Sequence, residues 1–311
     1  MKQYLITGGA GFIGAAIARA LIARGDRVIV VDDLSTGARA NVPEGAGFVL
    51  ADLRSEEAMA AIDGRGIDAV LHLGAQSSGE VSHEDPLRDF DVNARGTFLL
   101  LRWAERHGIN RILFASSMAV YGSVDGPVPE NRPVAPVSFY GASKVAAEAA
   151  VSMFGRHGGA PTIFRMFNVY GPGQNLTNLQ QGMASIYLAY LLRGDPIVVK
   201  GSLDRYRDLV YIDDVVAAWL CALDAGASIG ATYNLASGRM TSVRDLVDGL
   251  VRAAGHAPGR YPVTVTSATP GDLHGSVADI AHIGRDLGWT PRVALDEGLR
   301  RMVTWAMASA R

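Results

Sequence analysis

Tyr140 and Lys144 are the residues of this chain whose types and spacing most directly suggest chemistry. They lie four positions apart in F-Y-G-A-S-K-V-A-A-E, residues 139–148. If this segment is helical, the phenol and the ammonium share one face about a turn apart, and the positive charge favours the phenolate. A free tyrosine has a pKa near ~10, too high for a base at neutral pH, so the lysine would have to lower it. The pair alone equally fits a solvated helix face, so a catalytic role requires a cofactor site and a hydroxyl partner.

The segment L-F-A-S-S-M-A-V-Y-G offers the hydroxyl partner. Its apolar run predicts a strand that delivers Ser116 and Ser117 to the sheet edge where ligands bind. A serine at this point also fits a simple strand end. Together with Tyr140, Lys144 and a nicotinamide site, Ser117 would share a proton with Tyr140 and position a substrate hydroxyl.

The cofactor site is predicted at a glycine-rich turn near the N-terminus. Gly8, Gly11 and Gly14 lie between a short apolar run and a segment of helical periodicity, which Phe12 and Ile13 open. Such a turn needs backbone conformations that glycine adopts cheaply, and it lets a pyrophosphate approach the N–H groups of the helix N-terminus. The strand, turn, helix and strand context makes these five residues the predicted contacts of a dinucleotide.

Acidic residues after the next two strands complete this prediction. Asp32, followed by Asp33, ends the second strand 18 positions after the last glycine, where a carboxylate can accept from ribose hydroxyls and repel a 2′-phosphate. NAD is therefore favoured, with NADP the alternative because Arg39 is near in sequence. The bland reading is a polar turn. Asp52 and Leu53 follow the third strand and are predicted to border the adenine, although Asp is common in turns.

Alternating strands and helices indicate an α/β chain. Strands are predicted near 2–7, 27–31, 46–50, 68–73, 111–116, 161–166, 197–200, 209–211 and 232–235. Helices are predicted near 12–24, 55–62, 86–107, 138–155, 179–193, 212–225 and 241–254, with two more after Asp279. This pattern predicts a doubly wound parallel sheet over 1–167 and a smaller mixed α/β C-terminal lobe over 168–311 that binds the substrate. Segments near 197–235 are predicted to return partly to the first domain.

Composition excludes several functional classes. A net charge of −2 favours neither nucleic acid nor a membrane surface as a partner. The single cysteine, Cys221, excludes disulfides within the chain and suits a reducing cytoplasm, and the N-terminus lacks a signal-peptide layout. No apolar run is long enough to predict a transmembrane helix. The seven histidines show no metal-binding spacing, so no metal is expected.

Motifs in a characteristic order extend along the whole chain. They are T-G-G-A-G-F-I-G at 7–14, D-D-L-S-T-G at 32–37, H-L-G-A-Q at 72–76, V-N-A-R-G-T at 92–97, S-S-M-A-V-Y-G at 116–122, Y-G-A-S-K at 140–144, R-M-F-N-V-Y-G-P at 165–172, R-D-L-V-Y-I-D-D-V at 207–215, Y-N-L-A-S-G at 233–238 and A-D-I at 278–280. In these motifs the chain resembles the sugar-nucleotide epimerase/dehydratase family of extended short-chain dehydrogenases/reductases, from about residue 1 to 300.

This resemblance implies a Rossmann-type fold, NAD as the cofactor and a set of residue roles. Tyr140 is the implied base, Lys144 is implied to hold the nicotinamide ribose and lower the pKa of the tyrosine, and Ser117 completes the triad. Asn168 is implied to contact the substrate and Arg207 to hold its diphosphate. Without the resemblance, these two residues fit a turn asparagine and a solvated Arg–Asp neighbour pair equally well.

The two residues after Ser117 narrow the expected reaction. Dehydratases of the family carry acids at both positions, and its UDP-glucuronate decarboxylases carry a Glu at the second. Here the positions hold Met118 and Ala119. Without a proton donor, elimination is disfavoured and a 4-epimerase acting through a 4-keto sugar is expected. Met118 is also expected to contact a sugar that must swing about its diphosphate link.

Two departures from the family pattern stand late in the chain. Thr269 occupies the place of a diphosphate-binding arginine, for which Arg205, Arg239 or Arg260 could compensate. Ser276 occupies the place of a bulky Tyr of some hexose-specific epimerases. The hypothesis is that Ser276 lines the substrate pocket and leaves room for an N-acetyl group at C2. An ordinary surface serine is the bland alternative.

The resemblance also implies a partner. Family members commonly pair two helices into a four-helix bundle, so a homodimer through 86–107 and 138–155 is expected. Apolar residues beyond one core face of these helices are Phe98, Leu99, Leu100, Leu101, Trp103, Val151, Met153 and Phe154. Core packing alone would explain many of them.

Two other functions remain open at this point. One is a reductase or dehydrogenase that releases its cofactor, including the related threonine dehydrogenases. The other is a non-catalytic NAD-sensing protein, which the presence of Ser117, Tyr140 and Lys144 disfavours.

Overall fold

The structure is a computed structural model that describes residues 1–268 and 274–309. Its strands are β1 Gln3–Thr7, β2 Arg27–Asp32, β3 Gly47–Leu50, β4 Ala69–His72, β5 Arg111–Ser117, β6 Pro127–Val128, β7 Ala160–Met166, β8 Asn168–Tyr170, β9 Ile197–Lys200, β10 Tyr206–Tyr211, β11 Thr232–Leu235, β12 Met240–Ser242, β13 Val263–Thr266 and β14 Val277–Ala278. Its α-helices are α1 Phe12–Ala23, α2 Glu56–Ala60, α3 Gly79–Glu84, α4 Pro86–Phe90, α5 Gly96–Arg106, α6 Phe139–Arg156, α7 Met183–Arg193, α8 Ile212–Asp224, α9 Val243–Ala253, α10 Ala281–Leu287 and α11 Leu295–Ser309. None of these helices is both long and apolar enough to cross a bilayer.

The centre of the fold is a seven-stranded parallel sheet in the order β11-β7-β5-β4-β1-β2-β3. β1 lies inside the sheet, paired with β2 on one side and β4 on the other. Tyr4 and Ile6 enter one hydrophobic core while Leu5, between them, enters another. A strand buried on both faces must be apolar throughout, which is why β1 reads as a continuous apolar run. The predicted doubly wound parallel sheet is confirmed.

Helices cover both faces of this sheet. On the face of Tyr4 and Ile6, α1 and α8 pack against the strands, and Trp219 of α8 is fully buried among them. On the opposite face, α5 and α6 contribute Trp103 and Val151 to the second core. These layers fix the carboxyl ends of the strands, and with them the residues that follow each strand.

The smaller C-terminal lobe is also confirmed. It contains a three-stranded sheet in the order β12-β10-β8 and the parallel pair β13-β9. The helices α7, α9 and α11 bury Leu188, Leu250 and Leu299 completely in its core. Phe12 and Ile13, at the start of α1, pack against the same core and so connect the two parts of the molecule. β11 lies in the large sheet while β9 and β10 lie in the lobe; the boundary between 167 and 168 stays a prediction.

The helix predicted over 86–107 is interrupted. The structure has α4, then a π-helical turn at Asp91–Arg95, then α5. A π-helical turn inserts a residue into a helix and often occurs at functional sites. Here it brings the buried Asn93 side chain to α6, where Asn93 Nδ2 donates to Ser143 Oγ at 3.1 Å. A continuous helical periodicity cannot reveal this insertion, because the flanking turns remain helical.

The elements that were not predicted are short. They are α3, β6, β8, β12, β13 and β14, of two to six residues each. Periodicity needs longer segments to be recognised. α7 begins at Met183 instead of near 179, because Gly182 has a φ of 85°, outside the right-handed helical region.

The Asp208 carboxylate joins three segments of chain beneath the lobe. It is fully buried, and Oδ1 accepts hydrogen bonds from Ser237 N at 2.7 Å and Ser237 Oγ at 2.6 Å. Oδ2 accepts from Gly238 N at 2.9 Å and Ala278 N at 3.1 Å. Burial raises the pKa of Asp208, and these four hydrogen bonds oppose that shift. Asp208 on β10 thus supplies the acceptor for the backbone N–H groups of Ser237, Gly238 and Ala278.

We expect Asp208→Ala to lower the free energy of unfolding by about 3 kcal/mol, because the buried Ala278 N–H and the less buried donors of Ser237 and Gly238 lose their acceptor. Urea denaturation followed by circular dichroism measures this. Asp204→Ala is the matched control, since Asp204 is exposed and its pair with Arg244 spans 3.5 Å. The control should change stability by no more than about 0.5 kcal/mol. Equal losses in both variants would contradict the role of Asp208.

Candidate active site

A cleft of about 1840 Å³ opens at the carboxyl ends of the parallel strands, between the large sheet and the C-terminal lobe. The predicted site residues that line it are Gly8, Gly11, Phe12, Ile13, Gly14, Asp32, Asp33, Asp52, Leu53, Ser117, Met118, Tyr140, Lys144, Asn168 and Arg207. Residues that are distant in sequence therefore meet at one sheet edge, as expected for ligands of an open parallel sheet.

The turn after β1 leaves no room for side chains. Gly8 has a φ of 69°, and a Cβ there would lie 2.6 Å from Gly74 N. A Cβ on Gly14 would collide with the Gly8 carbonyl oxygen. The backbone itself therefore forms the wall of the cleft at the N-terminus of α1, where N–H groups and the helix dipole favour a phosphate. These residues fit the pyrophosphate of a dinucleotide.

Asp32 is held at the end of β2 by backbone donors. Its carboxylate accepts from Ala10 N at 2.9 Å and from Leu34 N at 2.8 Å, which leaves lone pairs for ribose hydroxyls. Burial raises the pKa of Asp32. Arg39, the sequence feature that left NADP open, does not line the cleft; its guanidinium lies 4.5 Å from the centre of the Phe48 ring. This arrangement fits NAD better than NADP.

Asp52 and Leu53 border the same end of the cleft. The Asp52 carboxylate accepts from Arg54 Nε at 3.0 Å and from Arg54 Nη2 at 2.7 Å. This ion pair lowers the pKa of Asp52. The partner arginine was not predicted, although it lies two positions away in L-A-D-L-R.

Ser117 ends β5, where its hydroxyl caps the following 3-10 turn by accepting from Ala119 N at 3.2 Å. The same side chain is hydrogen bonded to Tyr140, which lowers the pKa of the tyrosine. Desolvation is the larger effect, however, and raises the pKa of Tyr140 to about 12. Tyr140 keeps part of its surface exposed, but the packing around its hydroxyl is dense. The phenol therefore holds its proton in this structure.

Lys144 is not among the groups that shift the pKa of Tyr140 in this structure, so its lowering of that pKa stays a prediction. Lys144 is 3% exposed, and its ammonium donates to the Ala115 carbonyl at 2.7 Å and lies 4.8 Å from the centre of the Phe114 ring. Burial lowers the pKa of Lys144 itself to about 8. Tyr140 and Lys144 both line the cleft, as the spacing predicted, but the pKa of Tyr140 is set here by desolvation, by the Ser117 hydrogen bond and by the charge of Asp89.

The opposite side of the cleft carries cations and unsatisfied amides. Arg205 and Arg207 both line it, and burial lowers the pKa of Arg207 to about 10, with a further lowering from Arg205. Asn168 Oδ1 and Gln174 Oε1 are buried without a hydrogen-bond partner among the described residues. Two guanidinium groups suit a diphosphate, and orphaned amide oxygens suit the hydroxyls of a sugar or ribose.

Several lining residues were missed by the sequence reasoning. They include Gln76, Gln174, Gln180 and Gln181, of which the last three belong to the amide-rich run Q-N-L-T-N-L-Q-Q at 174–181. The sequence analysis predicts only the start of a helix near 179 in this run. Its density of amides was the signal that could have indicated a polar ligand.

Ser276 is not brought to the site. It is 2% exposed and does not line the cleft, because it leads directly into β14, which pairs with β6. The expected contact of Ser276 with the substrate is therefore not supported by its position. Thr269 lies outside the described residues. Of the arginines considered to compensate for it, Arg205 lines the cleft and Arg239 and Arg260 do not.

Comparisons with known proteins agree over the whole chain. A model of the NAD-dependent epimerase/dehydratase family matches residues 4–236. A putative UDP-glucose 4-epimerase of Methanocaldococcus jannaschii is 36% identical over 304 residues, which cover 97% of each chain. The UDP-glucose 4-epimerase of Thermotoga maritima, solved with UDP-glucose, has a TM-score of 0.93 at 34% identity and 99% and 100% coverage. That of Thermus thermophilus, solved with NAD, has a TM-score of 0.92 at 36% identity and 99% coverage of each chain.

We expect Gly14→Ala to weaken NAD binding by at least about tenfold, because the new Cβ collides with the turn that faces the pyrophosphate. Isothermal titration calorimetry with NAD measures the effect. Gly226→Ala is the matched control, since a Cβ there meets no atom within 4 Å and the backbone needs no positive φ. The control should bind NAD like the wild type. Unchanged affinity in Gly14→Ala would contradict the assigned turn.

Proposed function

Since the chain belongs to the NAD-dependent epimerase/dehydratase family, we propose that it is an NAD-dependent 4-epimerase of a UDP-hexose or UDP-N-acetylhexosamine. The observation that carries the proposal is the cleft wall in which Ser117, Tyr140 and Lys144 are followed by Met118 and Ala119. A dehydration would require a proton donor beside the triad serine, whereas inversion at C4 requires only proton and hydride exchange. Relatives that span the whole chain are named UDP-glucose 4-epimerases.

The residues of the chain divide the chemistry among them. The chemistry that NAD supplies when bound is reversible hydride exchange with C4 of the sugar, on either face of the 4-keto sugar. Tyr140 accepts the proton of the 4-hydroxyl and returns it, and Ser117 donates to or accepts from the same oxygen. Because its pKa is raised to about 12 in this structure, Tyr140 is suited to return the proton and must be assisted to give it up. Lys144, which lines the same cleft, is assigned to supply the positive charge for that assistance and to hold the nicotinamide ribose.

Binding of the diphosphate is assigned to Arg207 with Arg205. Both guanidinium groups line the cleft on the lobe side, and Arg205 Nη2 is anchored to the Lys200 carbonyl. Anchoring at the diphosphate leaves the sugar free to turn between hydride transfers. The apolar Met118 and small Ala119 do not hold the sugar in one orientation, whereas the Asn168 amide offers a polar contact. Ser276, buried away from the cleft, has no assigned role.

The alternative is a reductase or dehydrogenase that releases its cofactor in the other redox state. Such an enzyme would need added NAD(H) in stoichiometric amounts, while an epimerase regenerates NAD in each turnover. Activity of the purified protein without net change in NADH absorbance therefore favours the epimerase. A non-catalytic NAD-sensing protein would show neither activity.

We expect the protein to invert C4 of UDP-glucose or UDP-N-acetylglucosamine, observed by proton NMR with a panel of UDP-, GDP-, CDP- and dTDP-sugars. Tyr140→Phe removes the base and should lower turnover by about 1,000-fold while NAD affinity stays the same. Tyr261→Phe is the control, because the Tyr261 hydroxyl donates to the Asp195 carbonyl at 3.0 Å outside the cleft. Retained activity in Tyr140→Phe would overturn the assignment of the base.

A homodimer through a four-helix bundle is the proposed assembly. Phe98 on α5 and Met153 on α6 are 51% and 45% exposed, whereas the other apolar residues considered there are buried or partly buried in the core. Leu87 and Phe90 on α4, which packs against α6, add an apolar surface 80% and 50% exposed. Exposed apolar groups grouped on neighbouring helices are typical of an interface.

A cytoplasmic location remains a prediction from the cysteine usage.

We expect sedimentation velocity to give the mass of a dimer for the wild type. Phe98→Asp places a charge within the proposed interface and should shift the protein to a monomer. Val265→Asp is the control, since Val265 is 50% exposed on β13, away from these helices. A wild-type monomer, or a Phe98→Asp variant that remains dimeric, would contradict this interface.

A further inference from the structure

A buried carboxylate that the proposed reaction does not use lies behind the catalytic helix. Asp89, on α4, is 1% exposed. Its Oδ1 accepts from Gln76 Nε2 at 2.6 Å and from Asn93 Nδ2 at 3.2 Å. Its Oδ2 accepts from Ser143 Oγ at 2.5 Å. Among the described residues, the groups in hydrogen-bond contact with this carboxylate are therefore neutral.

Neutral donors alone are an unusual environment for a buried charge. Removing a carboxylate from water is costly unless hydrogen bonds and an opposite charge compensate it. The three hydrogen bonds to Asp89 supply part of the compensation for the lost hydration. The compensating opposite charge requires a cation close enough to interact through the protein interior, where the effective dielectric constant is low.

Ser143 connects Asp89 to the catalytic pair. It lies between Tyr140 and Lys144 on α6, and its hydroxyl is also 3.0 Å from the Tyr140 carbonyl. Asn93 Nδ2 lies 3.1 Å from the same hydroxyl, so the π-helical turn and Asp89 both hydrogen bond to α6 at Ser143. These hydrogen bonds hold the helical turn that carries both Tyr140 and Lys144.

The charged and titratable groups around Lys144 come from four elements. Glu148 on α6 is paired with Arg165 on β7, whose Nε and Nη2 donate to it at 3.0 and 2.8 Å, and its charge still raises the pKa of Lys144. His72 on β4 is fully buried, and desolvation lowers its pKa to about 3, so it is neutral. Asp89 on α4 is the second acid, and its charge raises the pKa of Lys144 more than the charge of Glu148 does.

Tyr140, also on α6, is a further titratable neighbour of Lys144. The charge of Asp89 also raises the pKa of Tyr140. One carboxylate thus moves both members of the catalytic pair in the same direction: it favours the ammonium of Lys144 and the protonated phenol of Tyr140.

We propose that Asp89 is a positioning residue of this site, whose buried carboxylate holds the turn of α6 between Tyr140 and Lys144 through Ser143 and, together with Glu148, supplies negative charge that favours the ammonium of Lys144. The functional meaning of that ammonium rests on the proposed epimerase reaction. The charge relation between the two residues does not, and it is tested separately.

The chain has three lysines, Lys2, Lys144 and Lys200, so protein labelled with ¹³C at lysine Cε gives a spectrum in which Lys144 can be titrated directly. Asp89→Asn keeps the shape of the side chain and removes its charge. We expect the variant's Lys144 to bind its proton about tenfold more weakly, which moves the titration midpoint to lower pH. Asp91→Asn, which removes an exposed acid from the adjoining π-helical turn, should leave the midpoint in place.

An unchanged Lys144 midpoint in Asp89→Asn would overturn the proposal. If the variant does not fold, the wild type decides: a Lys144 that is neutral at neutral pH contradicts the role of Asp89, and a protonated one supports it. As a second readout, the pH profile of epimerisation in Asp89→Asn should shift to lower pH on both limbs. A purely structural role would lower turnover without this shift. If no sugar nucleotide is epimerised by the wild type, the proposed function fails while the titration still tests Asp89.

Discussion

A positive charge almost wholly removed from water is the constraint on which this site depends. An ammonium in the protein interior is stable only where dipoles and negative charge replace its hydration. Asp89 and Glu148 supply the negative charge that acts on Lys144. Its other stabilising contacts are with the Ala115 carbonyl at 2.7 Å and with the face of the Phe114 ring. Both groups belong to β5, so the ending of that strand and the packing of α6 against it are requirements of electrostatics as much as of shape.

The same sheet edge is stiffened by a directed chain of hydrogen bonds around His72. Thr97 Oγ1 donates to the Asn93 carbonyl at 2.6 Å, so His72 Nε2 donates to Thr97 at 2.9 Å. His72 Nδ1 then accepts from Thr7 Oγ1 at 2.7 Å, and Thr7 accepts from Gly74 N at 3.1 Å. The chain runs from the end of β1, beside the glycine turn, to the π-helical turn behind α6. The cofactor turn and the catalytic helix therefore share one frame of neutral, satisfied polar groups.

Features that depend on residues near one another in sequence could be predicted, whereas features that depend on contacts between distant elements could not. The glycine turn and the spacing of Tyr140 and Lys144 are local, and the sheet follows from alternating periodicities. The raised pKa of Tyr140 could not be predicted, because it depends on desolvation by residues from other elements. The π-helical turn escaped for a related reason, since one inserted residue hardly alters periodicity. The contact of Ser276 with the substrate stays a prediction, because motif position does not fix the direction of a side chain and Ser276 does not line the cleft.

The position of β11 shows that the large sheet is not formed by one continuous stretch of the chain. The polypeptide leaves the large sheet after β7, builds much of the lobe, and returns to place β11 against β7 as the edge strand. A chain ending near residue 167 would leave the long, apolar β7 as an unprotected edge, which is a template for aggregation. During synthesis the large sheet cannot be completed until more than sixty further residues have emerged. The lobe is thus inserted between β7 and β11 in the sequence, so the large sheet is built from chain on both sides of it.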